Sequence, residues 1–382
     1  MVKARKKIII VSSIPINNGD AALIYSLGDS FLKKDFEVTY STFHYDLVKS
    51  IYNDKPFVPE ITDYRILRKI PWVRPYLVNL LYSTMKAYKD AEAIISAPGG
   101  YLNSYYGFHH ILVLLKKAKQ AGKKTGIYAQ SIGPLNKRDS DLLYKYSEFI
   151  DYILARDQYS IAQLQRINFP SHKYSLSEDG AFLIKPKFNN THNRNVVAVS
   201  VRTWKHDKRD RQKFVGMITE LVKFIIDKGF TVEFISTCQG LKGYVDDSSF
   251  ALEIFNNLPK KYAQNCHVNS TFYNFQDFLV KLQEYRFVVG TRLHMCILSL
   301  LNGIPALNIS YEVKGRECYQ YLGVPELSID YNESVKVSIE SVNNLIKLEK
   351  EYILKLNKEV LFRHGEAKKN FNIFINKLGL IS

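Results

Sequence analysis

KIIIVSSIPINNGDAALIYSL, residues 7–27, is the stretch whose reading decides the fold class. Lys7–Ser13 reads as a buried strand around the unbroken β-branched run Ile8–Val11, the pattern of a strand covered on both faces in a parallel sheet. Asn17-Asn18-Gly19-Asp20 then turns the chain into a helix running to about Lys34. Asp20 is placed to accept from the free amides of its first turn. A buried strand, a glycine loop and a helix make the opening unit of a Rossmann-like domain. The basic start, Lys3 to Lys7, precedes an apolar stretch, Ile8 to Val11, too short for the core of a secretion signal, so a cytoplasmic location is expected.

Working outward, short apolar runs alternate with helical spacing, which predicts a parallel sheet flanked by helices, twice over. In the first half, strands are expected at Phe36–Phe43, Ala91–Ala97, Lys124–Gln130 and Tyr152–Arg156. Helices are expected near 76–89, 107–121, 138–148 and 158–167. Residues 44–75 read as a long irregular connection, a mark of function or mobility. The second half predicts strands at Val196–Arg202, Thr231–Thr237, Cys266–Val268, Phe287–Val289 and Ala306–Ser310, with helices at 211–228, 247–257, 274–284, 293–302 and 314–322. The expected divisions are a Rossmann-like domain over 1–190, a second over 191–332, and a helical segment over 333–382 packing back on the first domain. The turn-rich KPKFNNTHNRN (185–195) is the candidate hinge.

Composition narrows the function classes. A chain of 382 residues, 46% of them apolar, can bury two cores. No run approaches the roughly 18–20 apolar residues of a spanning helix. The four cysteines, Cys238, Cys266, Cys296 and Cys318, are widely spaced and suggest buried thiols, with no metal site and no disulfide framework. Lysine and arginine number 53 against 37 acidic residues, a net +16 that favours an anionic partner. The basic residues are scattered and no nucleic-acid module is present, so nucleic acid is set aside.

Chemistry is expected in the loops after the strands. Asn18, Gly19 and Asp20 present bare helix amides to an anion. In SAPGGY (96–101), Gly99 and Gly100 end a strand before an aromatic residue. Gln130 and Ser131 could reach a hydroxyl or phosphate. The most informative loop is Gly290-Thr291-Arg292-Leu293-His294. Thr291 reads as the cap, which puts Arg292 and His294 in the first turn, where the dipole favours anions. A guanidinium there can grip a carboxylate or phosphate in bidentate fashion, and an imidazole can serve as acid or base near neutral pH. Arg156 and Arg202 also follow apolar strands, a position that demands a partner or a ligand; for Arg156 the partner could be Asp157 or Asp179.

Taken in order, GDAALIYSL (19–27), SAPGGYLN (96–103), AQSIGPL (129–135), ARDQYSIAQL (155–164), EDGAF (178–182), VAVSVR (197–202) and GTRLHMCILSLLNGIPALNISYEVK (290–314) resemble the polysaccharide pyruvyl transferases over roughly residues 8–325. The resemblance implies an α/β fold of two Rossmann-like domains in a GT-B-like arrangement with a cleft between them. It implies phosphoenolpyruvate as co-substrate, no further cofactor or metal, and a sugar acceptor on a polysaccharide precursor. His294, Arg292 and Arg156 become the catalytic candidates. Arg202, Lys314, Gly290 and Thr291 become donor-binding candidates. Asn18, Gly19, Asp20, Gly99, Gly100, Gln130, Ser131 and Asp179 become acceptor or cleft residues. Many relatives carry a third glycine where this chain has Pro98, and an acidic residue near Asn103.

An acceptor carried on a lipid would bring the enzyme to the inner membrane face. YRILRKIPWVRPY (64–76), with Arg65, Arg68, Lys69 and Arg74 among Tyr64, Trp72 and Tyr76, is the candidate contact with anionic lipid. The alternative activity is nucleotide-sugar glycosyl transfer on the same architecture, with Glu312 as a possible ribose partner.

Overall fold

The computed structural model describes residues 5–63, 74–188, 193–204 and 209–381. The membrane candidate therefore lies almost wholly outside the described residues, as does the middle of the candidate hinge, 189–192. The chain forms two compact units. The first comprises Met1–Ile16, Asp20–Leu183 and Gly365–Ser382; the second comprises Asn17–Gly19 and Ile184–His364.

The first unit is built on an all-parallel sheet. Its strands are β1 (Lys7–Ser13), β2 (Glu37–Thr42), β3 (Phe57–Pro59), β4 (Ala93–Ser96), β5 (Gly99–Leu102), β6 (Lys124–Ile132), β7 (Tyr152–Ala155) and β8 (Tyr174–Leu176). The spatial order is β3-β2-β1-β4-β6-β7-β8, with β5 also pairing to β6. Strand order reverses between β1 and β4, where Ile8 faces Val38 on one side and Ala93 on the other. From Ile8 onward β1 is buried, as its unbroken apolar run requires. Behind the sheet, Leu112 and Leu115 of helix His109–Gln120 join Ile94, Ile127 and Ile153 in one core. Residues 365–381 complete this unit. Phe371 meets Phe31 edge-on at 5.0 Å, and Phe374 meets Tyr128 edge-on at 5.0 Å. Gly126 is glycine for space here, since a Cβ would lie 2.4 Å from the Phe374 ring.

The second unit repeats the plan with β9 (Val196–Ser200), β10 (Thr231–Phe234), β11 (Cys266–Val268), β12 (Tyr285–Gly290), β13 (Ala306–Ser310) and β14 (Ser328–Asp330), again all parallel. The order β11-β10-β9-β12-β13-β14 reverses between β9 and β12. Its helices are capped from the sequence. Asp210 accepts from the amides of Gln212 and Lys213 to open Arg211–Asp227, and Asn274 does the same at Phe275–Leu282. The stretch 333–382 is mainly two helices, Val335–Lys347 and the long Glu349–Lys377, which Arg286 ties to the second unit through Glu349. All four cysteines are buried thiols.

Several sequence readings are corrected. The stretch 44–75, expected to be irregular, holds among its described residues a helix, Tyr45–Ile51, and β3. The Gly99-Gly100 loop is strand β5, which closes on β6 through Gly99 opposite Gln130. β6 runs on to Ile132, so Gln130 and Ser131 are strand residues. β8 and β14 were not foreseen. Among the described residues, no helix is long and apolar enough to cross a membrane.

Candidate functional site

In each unit the candidate residues gather at the carboxyl ends of strands, and in the second unit Arg202 and the Gly290–His294 loop follow β9 and β12, the two strands at the order reversal, where open parallel sheets bind ligands. In the first unit, β6 bulges between Ile127 and Gln130, and Ala129 takes a left-handed backbone with φ 44°. A bulge re-aims the side chains after it. Gln130 donates through Nε2 to the Ala97 carbonyl at 2.6 Å, and Ser131 Oγ bonds Asp157. Arg156, fully inside the protein at the end of β7, donates from Nε to Ser131 Oγ at 2.7 Å and from Nη1 to Asp179 at 2.7 Å. Asp157 takes the other role, accepting from the Ser160 amide at 2.7 Å to cap helix Gln158–Arg166. The sequence left both acids open as partners of Arg156. Geometry assigns the ion pair to Asp179.

Asn103 Nδ2 donates to the Gly100 carbonyl at 2.8 Å, while Asn103 Oδ1 accepts from the amides of Tyr105 and Tyr106 at 3.0 and 3.1 Å. This buried asparagine fixes a loop that presents Tyr105 and Tyr106 half-exposed, at 47% and 54%. Neither tyrosine was singled out from the sequence, although YY after SAPGGYLN was visible. A second feature missed is Glu60, buried directly after β3. Its carboxylate accepts from the Ser12 amide at 2.7 Å and from Ser41 Oγ at 3.1 Å. Burial raises its pKa above the ordinary value, and the hydrogen bonds from Ser12, Ser41, Thr62 and Tyr88 offset only part of that.

In the second unit, β12 ends at Gly290 and helix Leu293–Leu301 begins after two intervening residues. The helix cap is Arg292, not Thr291. Thr291 instead donates through both its amide and Oγ1 to the Ser200 carbonyl, tying β12 to β9. Arg292 lies inside the unit with its bidentate edge already engaged: Nε meets Asp247 Oδ2 at 2.6 Å and Nη2 meets Oδ1 at 2.9 Å. Burial alone would lower its pKa, but the Asp247 charge and hydrogen bonds hold it above the usual arginine value. Any further anion would have to meet the guanidinium through Nη1. Ser236 Oγ also donates to Asp247 at 2.5 Å. Asp247 was not foreseen, because nothing local in sequence marks an acid 45 residues from its arginine.

His294 stands in the first turn of that helix, half-buried. Asn17–Gly19, which belong to this unit, bring the backbone of Gly19 against its ring. Asn17 Oδ1 accepts from the Gly19 amide at 2.9 Å, so the cap of helix Asn18–Leu32 is Asn17, while Asp20 sits within the first turn. At the end of β9, Arg202 donates from Nη1 to Tyr311 Oη at 2.7 Å and lies over the rings of Trp204 and Tyr311. Lys314 pairs with Glu312 at 2.5 Å. Gly315 lets the next helix close in, since a Cβ there would fall 2.6 Å from both Asn308 Oδ1 and Ser310 Oγ. Thr291, Leu293, Ser310, Tyr311, Glu312 and Lys314 line a small pocket at these strand ends. His294, Gly290, Thr291 and Arg292 thus share one strand end with Gly19 beside them. An imidazole, helix amides and cations of this kind suit proton transfer to a small anion.

Comparisons with known proteins give the family and the fold. A sequence-family profile described as polysaccharide pyruvyl transferase matches residues 17–313. The amylovoran biosynthesis protein AmsJ of Erwinia amylovora is 26% identical over 272 residues, 66% of this chain and 64% of that protein. The match therefore spans just under two thirds of the length of that relative. Among solved structures, a putative UDP-N-acetylglucosamine 2-epimerase from Listeria monocytogenes superposes with a TM-score of 0.65 at 10% identity, covering 99% of this chain and 98% of that one. A glycosyltransferase from Rickettsia africae gives 0.66 at 9%, covering 98% and 99%. Anabaena HepE in complex with UDP-glucose gives 0.64 at 12%, covering 98% and 100%. At such identities the likeness is one of fold, and that fold is GT-B-like.

Proposed function

We propose, because this chain belongs to the polysaccharide pyruvyl transferase family, that it moves the pyruvyl unit of phosphoenolpyruvate onto two hydroxyls of a sugar in a polysaccharide precursor, forming a cyclic ketal and releasing phosphate. The observation that carries this reading is His294 in a helix first turn at the end of β12, preceded by Arg292 and walled by Gly19.

The chemistry explains why those groups are needed. Protonation of the methylene carbon of the donor consumes the C=C pair and leaves the adjacent carbon electrophilic. One sugar hydroxyl adds there and loses its proton. The carbon–oxygen bond to phosphate then breaks, phosphate leaves with the electron pair, and the second hydroxyl closes the ring as its own proton departs. One group must give a proton and later take one, and we assign this to His294. The donor carries a carboxylate and a phosphate, so fixed cations must hold it. Arg202, Lys314 and the Nη1 side of Arg292 are assigned to that task, while Gly290 and Thr291, whose amide donates to the Ser200 carbonyl, shape the loop around the donor.

In the first unit, Arg156 is kept as a catalytic candidate, and Ser131, Gln130 and Asp179 around it form the polar set assigned to the sugar, together with Asp20, Gly99 and Gly100. Tyr105 and Tyr106 supply half-exposed rings on which a pyranose face can stack. An acceptor carried on a lipid, and work at the inner membrane face, belong to the same proposal.

The test is incubation of the protein with phosphoenolpyruvate and a panel of sugar glycosides, reading phosphate release and the mass of the product. The expected outcome is a ketal adduct, with His294→Gln lowering kcat by about 10²–10⁴-fold while thermal unfolding is unchanged. Undiminished ketal formation by the variant would remove His294 from the mechanism. Turnover of a nucleotide sugar, with a nucleoside diphosphate as product, would instead favour glycosyl transfer.

A further inference from the structure

We infer that Gly19, held in place by Asn18, is a positioning residue that sets the orientation of the His294 imidazole. A Cβ on Gly19 would lie 2.8 Å from His294 Cβ, 2.9 Å from Nδ1 and 3.1 Å from Cγ. These atoms are the root of the side chain and the near edge of its ring, not the far end of something flexible, so a methyl group there displaces the ring. Gly19 is not among the glycines with positive φ, so its backbone conformation does not demand glycine. Space does.

The wall is itself fastened within the second unit. The Asn18 amide donates to the Thr237 carbonyl at 2.8 Å, and Asn18 Nδ2 donates to the Tyr273 carbonyl at 3.0 Å. Asn17 Oδ1 holds the Gly19 amide at 2.9 Å. Asn18 is 4% exposed, so neither of its bonds competes with bulk water. Glycine in a helix interior costs roughly 0.5–1 kcal/mol relative to alanine, and less near an end. The chain tolerates that cost where its backbone touches an imidazole 275 residues further along. A group that must deliver a proton to one carbon atom gains from such confinement, since a misplacement of about 1 Å can cost 10²-fold in rate.

This inference rests on the reading of His294 as the proton-transfer group, and its test separates the two. Full-length Gly19→Ala, Asn18→Ala and a control, Gly216→Ala, are compared; at Gly216 an added Cβ meets nothing within 4 Å. The first readout is the nitrogen-15 spectrum of the histidine rings, with the His294 signals identified by their loss in His294→Gln. They move in Gly19→Ala, move less in Asn18→Ala, and stay in place in the control. The second is the kinetic split: Gly19→Ala lowers kcat about 10–10²-fold while the KM for phosphoenolpyruvate stays within about twofold. If Gly19→Ala fails to fold, Asn18→Ala, which keeps the glycine, carries both readouts. Unmoved His294 signals in every folded variant overturn the inference. A wild-type protein that does not consume phosphoenolpyruvate refutes the proposed reaction, and the spectrum still decides whether Gly19 positions the ring.

Discussion

Asp247 is the residue on which the loop after β12 depends. It is buried, it engages two nitrogens of Arg292, and it takes a third bond from Ser236. Removing it takes away the carboxylate that Arg292 meets inside the unit. Breaking such a pair by truncating one partner typically costs about 3–5 kcal/mol. Asp247→Ala is therefore expected to lower the stability of the second unit by that amount, read as a fall in the urea midpoint with an unchanged slope. A loss below about 1 kcal/mol would show that Arg292 is stabilised by other means. At this scale the sequence showed which residues carry charge at strand ends, because arginine after an apolar run is conspicuous. It did not show their partners. Arg156 could have chosen Asp157 or Asp179, and helix capping, which claims Asp157, decides the matter. Gly19 was legible as a loop glycine; that it faces His294 follows only from how the chain folds.

The elements divide by composition in the same way. Apolar runs such as β1, and the short β4 and β7, declare themselves. The strands β3, β5, β8 and β14, with proline, glycine or polar residues among their three or four, exist because a neighbour offers its edge, so their own residues say little. β5, with its two glycines, reads as a turn until β6 is beside it. The same holds for the bulge in β6, whose left-handed Ala129 no propensity would suggest. Glu60, at the end of β3, makes a pH prediction. Burial raises its folded-state pKa above the value it has in the unfolded chain. The folded protein therefore binds that proton more readily. The stabilisation is fully present below the unfolded pKa and is lost as pH rises through the folded one. Lowering the pH from about 7 to about 5 should raise the contribution of this carboxyl to the stability of the first unit. Glu60→Gln, which mimics the protonated form, should raise the urea midpoint near neutral pH and flatten that part of the profile. An unfolding profile identical to wild type at every pH would refute the assignment.

For the molecule as a whole, the sequence foretold two Rossmann-like units, because the alternation of strand and helix runs through both halves. What pattern could not reveal is where the helix Glu349–Lys377 changes allegiance: its residues up to His364 count with the second unit and those from Gly365 with the first. Phe371, Phe374, Ile375, Leu378 and Leu380 are all buried. Each fully buried side chain of this size contributes about 1.5–3 kcal/mol, so together they rival the net stability of a domain. A chain ending at His364 should therefore lose the cooperative unfolding transition of the first unit while keeping that of the second. Limited proteolysis with mass spectrometry would locate the cleavages, and a protected first unit would contradict the expectation. There is a consequence for the order of biosynthesis. The ribosome makes nearly all of the first unit early, then every residue from Ile184 to His364, and only afterwards the phenylalanines that seal the earlier core. At about 5–20 residues per second the nascent half waits on the order of ten to forty seconds with that face uncovered. The half translated first is thus the half finished last, and it is the one for which a chaperone holding the emerging chain would matter most.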